Sequence, residues 1–193
     1  MVVGGCQEES VLTNISIQGL KGLTFLHSCA QIHRDLKPGN FLISHNREVK
    51  VADLGIMKQL PSAKGAIQKT NTFVGTATYM SPERIDGKEY SFPADVWAFG
   101  LSIMSIALGR LPIDTMGGYW TILHGIRDSE PPQLPLIYPS TGEKVSNEFR
   151  DFMNKCLRKN PNERPTCKEL LRHPWLSRAS AEEFEMDNIQ DRV

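Results

Sequence analysis

The run His33-Arg34-Asp35-Leu36-Lys37-Pro38-Gly39-Asn40, with Asp53-Leu54-Gly55 beginning thirteen residues after Asn40, gathers the groups that phosphoryl transfer requires. Asp35 is the candidate general base: a carboxylate beside an attacking hydroxyl accepts its proton and orients the oxygen for in-line attack. Lys37 supplies a cation that can offset charge developing on a moving phosphate. Asn40 offers a neutral oxygen and Asp53 a charged one, hard donors that magnesium takes together with phosphate oxygens and water. Any one of these residues alone is an ordinary exposed loop residue. Their joint occurrence in this order makes the signal specific.

The elements around this loop follow from periodicity. Residues 9–29 predict an amphipathic helix, with Val11, Ile15, Gly22, Leu23 and Leu26 at helical spacing and Gly19 and Gly22 permitting close packing. Phe41-Leu42-Ile43 and Val49-Lys50-Val51 flank a polar turn and predict a small hairpin. Residues 55–80 show no sustained period, the mark of a long segment that usually carries function. Residues 93–108 predict a helix with Pro93 in its first turn and apolar side chains on every face, a buried axis for the fold. Further helices are predicted over 117–128 and 146–157, separated by a proline-rich connection that cannot be helical. Thr166-Cys167-Lys168-Glu169 predicts a capping box opening the last core helix. The expected organisation is an unassigned segment 1–8, one domain over 9–176 and an acid-rich tail over 177–193.

Composition narrows the class. A chain of 193 residues, 40% hydrophobic, can bury one core. Its 22 basic and 22 acidic residues cancel, so no net field draws it to nucleic acid or a charged membrane. Cys6, Cys29, Cys156 and Cys167 lack CxxC or zinc spacing and read as reduced thiols. No apolar stretch reaches membrane-spanning length, and a cytoplasmic protein is expected. His27, His45, His124 and His173 show no pairing in the sequence and are assigned no role.

These motifs resemble the protein kinase family, and within it the mitogen-activated protein kinase kinases. The subfamily likeness is carried by Thr72–Ile85, Glu130–Pro135 and Glu148–Leu157, and Lys37 in the loop is similar to serine/threonine-type kinases. The resemblance implies a mainly α fold, the lower (C-terminal) lobe of a kinase with a short β-hairpin at the cleft. It implies ATP as phosphate donor and Mg2+ as cofactor. Asp35 and Lys37 are then catalytic, Lys37, Asn40, Leu42 and Asp53 nucleotide-binding, and Asn40 and Asp53 the metal ligands. Leu42 would touch the adenine ring from below, although an ordinary hairpin core leucine fits equally.

Structural support is implied for His33, Arg34, Thr76, Glu83, Asp95 and Arg164. Ser81-Pro82-Glu83 stands at the family's Ala-Pro-Glu, and Glu83 would form a buried ion pair with Arg164. Asp95 would hold backbone amides of the catalytic loop, and His33 would pack under the metal-binding turn. Thr72 falls at an activating phosphosite, with Arg34 as partner for its phosphate. The family's other site is Gln68 here, and Thr70 is the candidate substitute. Leu54 departs from the usual phenylalanine; it is expected to alter the balance of active and inactive states rather than metal binding. Residues 178–187 resemble a docking region for an upstream kinase, with a disordered acidic end as the alternative.

The resemblance further implies a downstream mitogen-activated protein kinase as substrate, phosphorylated on threonine and tyrosine, and an upstream kinase kinase kinase. The chain shows no glycine-rich phosphate cover and no Val-Ala-Ile-Lys strand. The upper lobe is therefore expected to be absent, leaving an apolar surface and a chain with little or no activity alone. The alternative function is a catalytically incomplete binding or scaffold module for cascade kinases. A pure binding module has no chemical need for Asp35, Lys37, Asn40 and Asp53 together, which favours the enzyme.

Overall fold

The computed structural model describes residues 5–53, 77–89, 91–114 and 116–177. Its first element, α1 (Glu9–Ser28), buries Leu12, Ile15, Leu20, Leu23 and Leu26. The buried stripe begins at Leu12 rather than Val11, which is 37% exposed. A 3-10 turn over Pro38–Asn40 leads into β1 (Phe41–Ile43), which pairs antiparallel with β2 (Val49–Val51), Leu42 opposite Lys50. This hairpin is the whole sheet among the described residues. The rest is helical: α2 (Pro82–Ile85), α3 (Phe92–Leu108), α4 (Tyr119–Asp128), α5 (Asn147–Cys156) and α6 (Cys167–Leu170).

Helix α3 is the axis. Val96, Trp97, Phe99, Leu101, Ile103, Met104 and Ala107 are all buried, so apolar residues around its full circumference find partners. Buried Ser102 and Ser105 satisfy their hydroxyls by donating to the carbonyls of Ala98 and Leu101, 2.6 and 2.7 Å away. Gly109 ends the helix in the left-handed conformation, φ 66°, that glycine adopts without steric cost. Ser146 caps α5 by accepting from the Phe149 amide, and Thr166 and Glu169 form the reciprocal capping box at α6.

A relay of rings runs through the core. Phe41 meets Phe99 at 6.2 Å, Phe99 meets Phe152 at 6.5 Å, and Phe152 meets Trp175 at 4.8 Å, with Phe149 stacked on Trp175 at 4.2 Å. Phe41 directly follows Asn40, so this relay roots the end of the catalytic-loop motif in the core. Gly19 of α1 makes room for it: a Cβ there would stand 2.9 Å from the Phe41 ring.

The expectations for residues 55–76, which include Thr70, Thr72 and Thr76, lie outside the described residues, as do Leu54 and the tail from 178 onward. No helix among the described residues is long and apolar enough to cross a membrane.

The α3–α5 crossing generates a test. A Cβ on Gly100 would stand 2.7 Å from the Cys156 Cβ and 3.1 Å from Leu157. Gly100→Ala therefore overpacks a closed contact and should destabilise the chain by about 1–3 kcal/mol, read as a lower urea midpoint.

Candidate functional site

The loop between α1 and β1 is built on a strained turn. Arg34 has φ 72° and Asp53 φ 55°, left-handed values that cost a non-glycine residue about 1–2 kcal/mol. At Arg34 the opposition is visible. Its amide donates to Asp95 Oδ1 at 3.0 Å, and its carbonyl accepts from the Arg84 guanidinium at 2.7 Å. The next amide upstream, that of His33, donates to Asp95 Oδ2 at 2.8 Å. Asp95 itself is buried in the first turn of α3, where the helix dipole favours a carboxylate.

Three of the candidate residues are tied together by this geometry. The Lys37 ammonium lies 2.9 Å from Asp35 Oδ2, both side chains about a third exposed. The Asn40 side-chain nitrogen donates to the Asp35 carbonyl at 2.7 Å, and its backbone amide to the Lys37 carbonyl at 2.9 Å. With its nitrogen so engaged, the buried Asn40 side chain has its amide oxygen to offer a ligand.

Asp53 is exposed and sits at the exit of β2. Its neighbour Ala52 fastens this exit to the loop: the Ala52 amide donates to the Asn40 carbonyl at 2.8 Å, and the His33 Nε2 meets the Ala52 carbonyl at 3.0 Å. His33 is thus a buried bracket whose Nδ1 accepts from the Asp35 amide at 3.4 Å. An amide oxygen just before β1 and an exposed carboxylate just after β2 are a donor set that magnesium accepts alongside phosphate and water. Among the described residues no group of three or more His, Cys, Asp or Glu gathers as a self-sufficient metal cage.

Leu42 is 57% exposed, and Ile43 55%. The hairpin-core alternative for Leu42 is thereby removed: its side chain faces outward, free to meet a planar ligand or another surface. A separate groove of about 770 Å³ runs between α1 and β2, lined in part by Ile17, Lys21, Phe25 and Val51; it includes none of the four candidate catalytic or metal-binding residues.

Below the loop, Glu83 of α2 and Arg164 form a bidentate pair, 2.7 Å at each oxygen. The remaining guanidinium donors go to the carbonyls of Pro93, Arg158 and Lys159, and the group lies 5.1 Å over the Trp97 ring. All five donors are used, which is what burial of a guanidinium demands. Burial alone would raise the Glu83 carboxyl, but the paired Arg164 outweighs it and holds the group below the ordinary carboxylate range.

Sequence patterning missed the histidines. His27 Nε2 lies 2.9 Å from Asp95 Oδ2, His173 Nε2 lies 3.0 Å from Asp151 Oδ2, and His124 Nδ1 lies 3.2 Å from Asp128 Oδ2. The first two pairs span 68 and 22 positions, beyond any local spacing. Only the His124 pair, at i and i+4 on α4, carried a readable signal.

Residues 3–176 match the family model for the protein kinase domain, and the chain belongs to the protein kinase family. It is similar to mitogen-activated protein kinase kinase 1c of Physcomitrium patens, 40% identical over 187 residues, covering 94% of this chain and 52% of that protein. Mitogen-activated protein kinase kinase 2 of Arabidopsis thaliana is 40% identical over 177 residues, with coverage of 88% and 46%. Dual specificity mitogen-activated protein kinase kinase dSOR1 of Drosophila melanogaster is 36% identical, with coverage of 92% and 49%. The chain thus spans about half the length of these curated relatives.

The Glu83–Arg164 pair is directly testable. Arg164→Leu should cost about 3–5 kcal/mol by stranding a buried carboxylate, and joint replacement with Glu83→Leu should recover much of it. The folded Glu83 carboxyl titrates below its unfolded value near 4.5. Its contribution is therefore present above that pH and lost as pH falls through the lower folded value, an acid sensitivity that the double variant should lack in pH-dependent denaturation.

Proposed function

We propose that this chain carries the catalytic loop and magnesium-binding turn of a mitogen-activated protein kinase kinase. It would transfer phosphate from ATP to threonine and tyrosine hydroxyls of a downstream mitogen-activated protein kinase. The observation that carries the reading is the closed set Asp35–Lys37–Asn40, hydrogen-bonded within one loop and fastened through Ala52 to Asp53. The names of the relatives support the cascade and the dual specificity.

In this reading Asp35 accepts the proton of the attacking hydroxyl and aims its oxygen. Lys37 exchanges its contact with Asp35 for one with the transferring phosphate, where its charge offsets what develops there. Asn40 and Asp53 hold magnesium, which when bound neutralises phosphate charge and orients the donor. Arg34, Asp95, His33, Glu83 and Arg164 keep these groups in register, Thr76 joins them as support, and outward-facing Leu42 lies against the adenine. Thr72 is the proposed phosphosite for an upstream kinase, with Thr70 standing in for Gln68. Mass spectrometry after treatment with such a kinase should find phosphate on Thr72, and an unmodified Thr72 removes that assignment.

The chain corresponds in this proposal to the lower lobe of the kinase fold. Positioning supplies most of the catalysis in phosphoryl transfer, so the 193 residues alone should turn over ATP barely or not at all. Joined to a glycine-rich upper lobe, the chain should phosphorylate a mitogen-activated protein kinase in a magnesium-dependent manner. Asp35→Asn in that protein should then lower kcat about 10²–10⁴-fold with little change in ATP affinity, measured by steady-state kinetics and titration. Full activity of Asp35→Asn would remove the proposed base.

A further inference from the structure

The Asp95 carboxylate has a third partner besides the two loop amides, and it comes from the last turn of α1. His27 Nε2 approaches Oδ2 at 2.9 Å, the same oxygen that takes the His33 amide, while Oδ1 takes the Arg34 amide. The other face of the imidazole is accounted for. Nδ1 lies 3.8 Å from the Cys167 sulfur at the start of α6, and the ring packs against Phe92 with centroids 4.5 Å apart. Three elements therefore converge on one ring: α1 carries it, α3 receives its proton, and α6 supplies the thiol.

An ionised carboxylate only accepts, so the nitrogen facing Asp95 must bear the proton. Burial, reinforced by the nearby Asp95 charge, pushes the Cys167 thiol up to about 12, so it keeps its hydrogen and can donate to Nδ1. Both contacts select the same tautomer. A carboxylate held on both oxygens by backbone amides and on one by a ring N–H cannot rotate about its own bond. That restraint bears on the loop because the amide held by Oδ1 belongs to Arg34, the residue at φ 72° immediately before Asp35.

We propose that His27 is a positioning residue for the catalytic loop: as the Nε2–H tautomer that Asp95 requires and Cys167 supports, it fixes the orientation of Asp95 and so holds Arg34 in its left-handed turn. The importance of the loop rests on the kinase reading above, but the hydrogen-bond chain can be tested without activity. Gln places an amide nitrogen near the Nε2 position, whereas Phe keeps the ring volume and the Phe92 contact and donates nothing.

Amide hydrogen exchange and long-range ¹H–¹⁵N spectra of the full 193-residue chain would test the proposal. His27 in the unsubstituted protein should show the Nε2–H tautomer, and Cys167→Ala should keep it because Asp95 still accepts from that nitrogen. His27→Phe should speed exchange at His33 and Arg34 about tenfold or more, the effect of losing a hydrogen bond to a charged group. Core amides of α3 and α5 should be unaffected, and His27→Gln should restore the loop. An Nδ1–H or doubly protonated ring in the unsubstituted chain overturns the proposal. So does unchanged exchange in His27→Phe, or an equal acceleration in core and loop with both variants, which would mark a packing role alone. In a protein joined to an upper lobe, His27→Phe should lower kcat and leave the KM for ATP in place. Loop amides that loosen in His27→Phe, with no phosphate transfer even after joining to an upper lobe, would remove the kinase reading while leaving this one standing.

Discussion

The site depends on one carboxylate placed where a buried helix begins. Asp95 projects from the first turn of α3, and α3 is the element most enclosed by the rest of the chain. Its position is set by packing on all sides, so the loop amides that it binds inherit the rigidity of the core. The converse also holds. The left-handed turn at Arg34 is unfavourable by itself and persists because Asp95 on one side and Arg84 on the other over-determine it. Asp35, one residue later, takes its direction from that turn.

A second anchor lies two residues further along the same helix. Trp97 forms the floor beneath the Arg164 guanidinium, whose five donors join α2, the start of α3 and the segment between α5 and α6. These two residues of α3 thus face different clients, Asp95 the amides of the His33–Asn40 loop and Trp97 the guanidinium that ties down Glu83. Loss of Asp95 would strand two loop amides, and loss of Trp97 would strip one face from a buried guanidinium.

The elements were legible in the sequence where a local rule decides them. The hairpin, the buried axis and the capping box over Thr166–Glu169 follow from two apolar runs about a polar turn, apolar side chains on every face and a four-residue pattern. Only the first member of the α1 stripe differs, because Val11 and Leu12 are both apolar and the tertiary partners choose between them; Ile15, Leu23 and Leu26 are buried as expected. Leu42 read as core or ligand contact; it is exposed, and so is Ile43 beside it, so alternation alone does not explain its face. The histidine partners were illegible because His27 and Asp95 are joined only when α1 and α3 pack. The positive φ values at Arg34 and Asp53 were also hidden, since neither residue type announces a left-handed turn as glycine would.

Glu9 makes one more connection, between distant stretches of chain. Its carboxylate accepts from the amide and hydroxyl of Ser146 and from the indole of Trp175, partners 137 and 166 positions away. During ribosomal synthesis α1 emerges before both partners, and that acid meets neither until 137 further positions have followed. Closing so large a loop is entropically slow. The nascent chain therefore passes a long interval with α1 packed only on its nearer partners and the Glu9 carboxylate unpaired, the interval in which a holding chaperone would matter most.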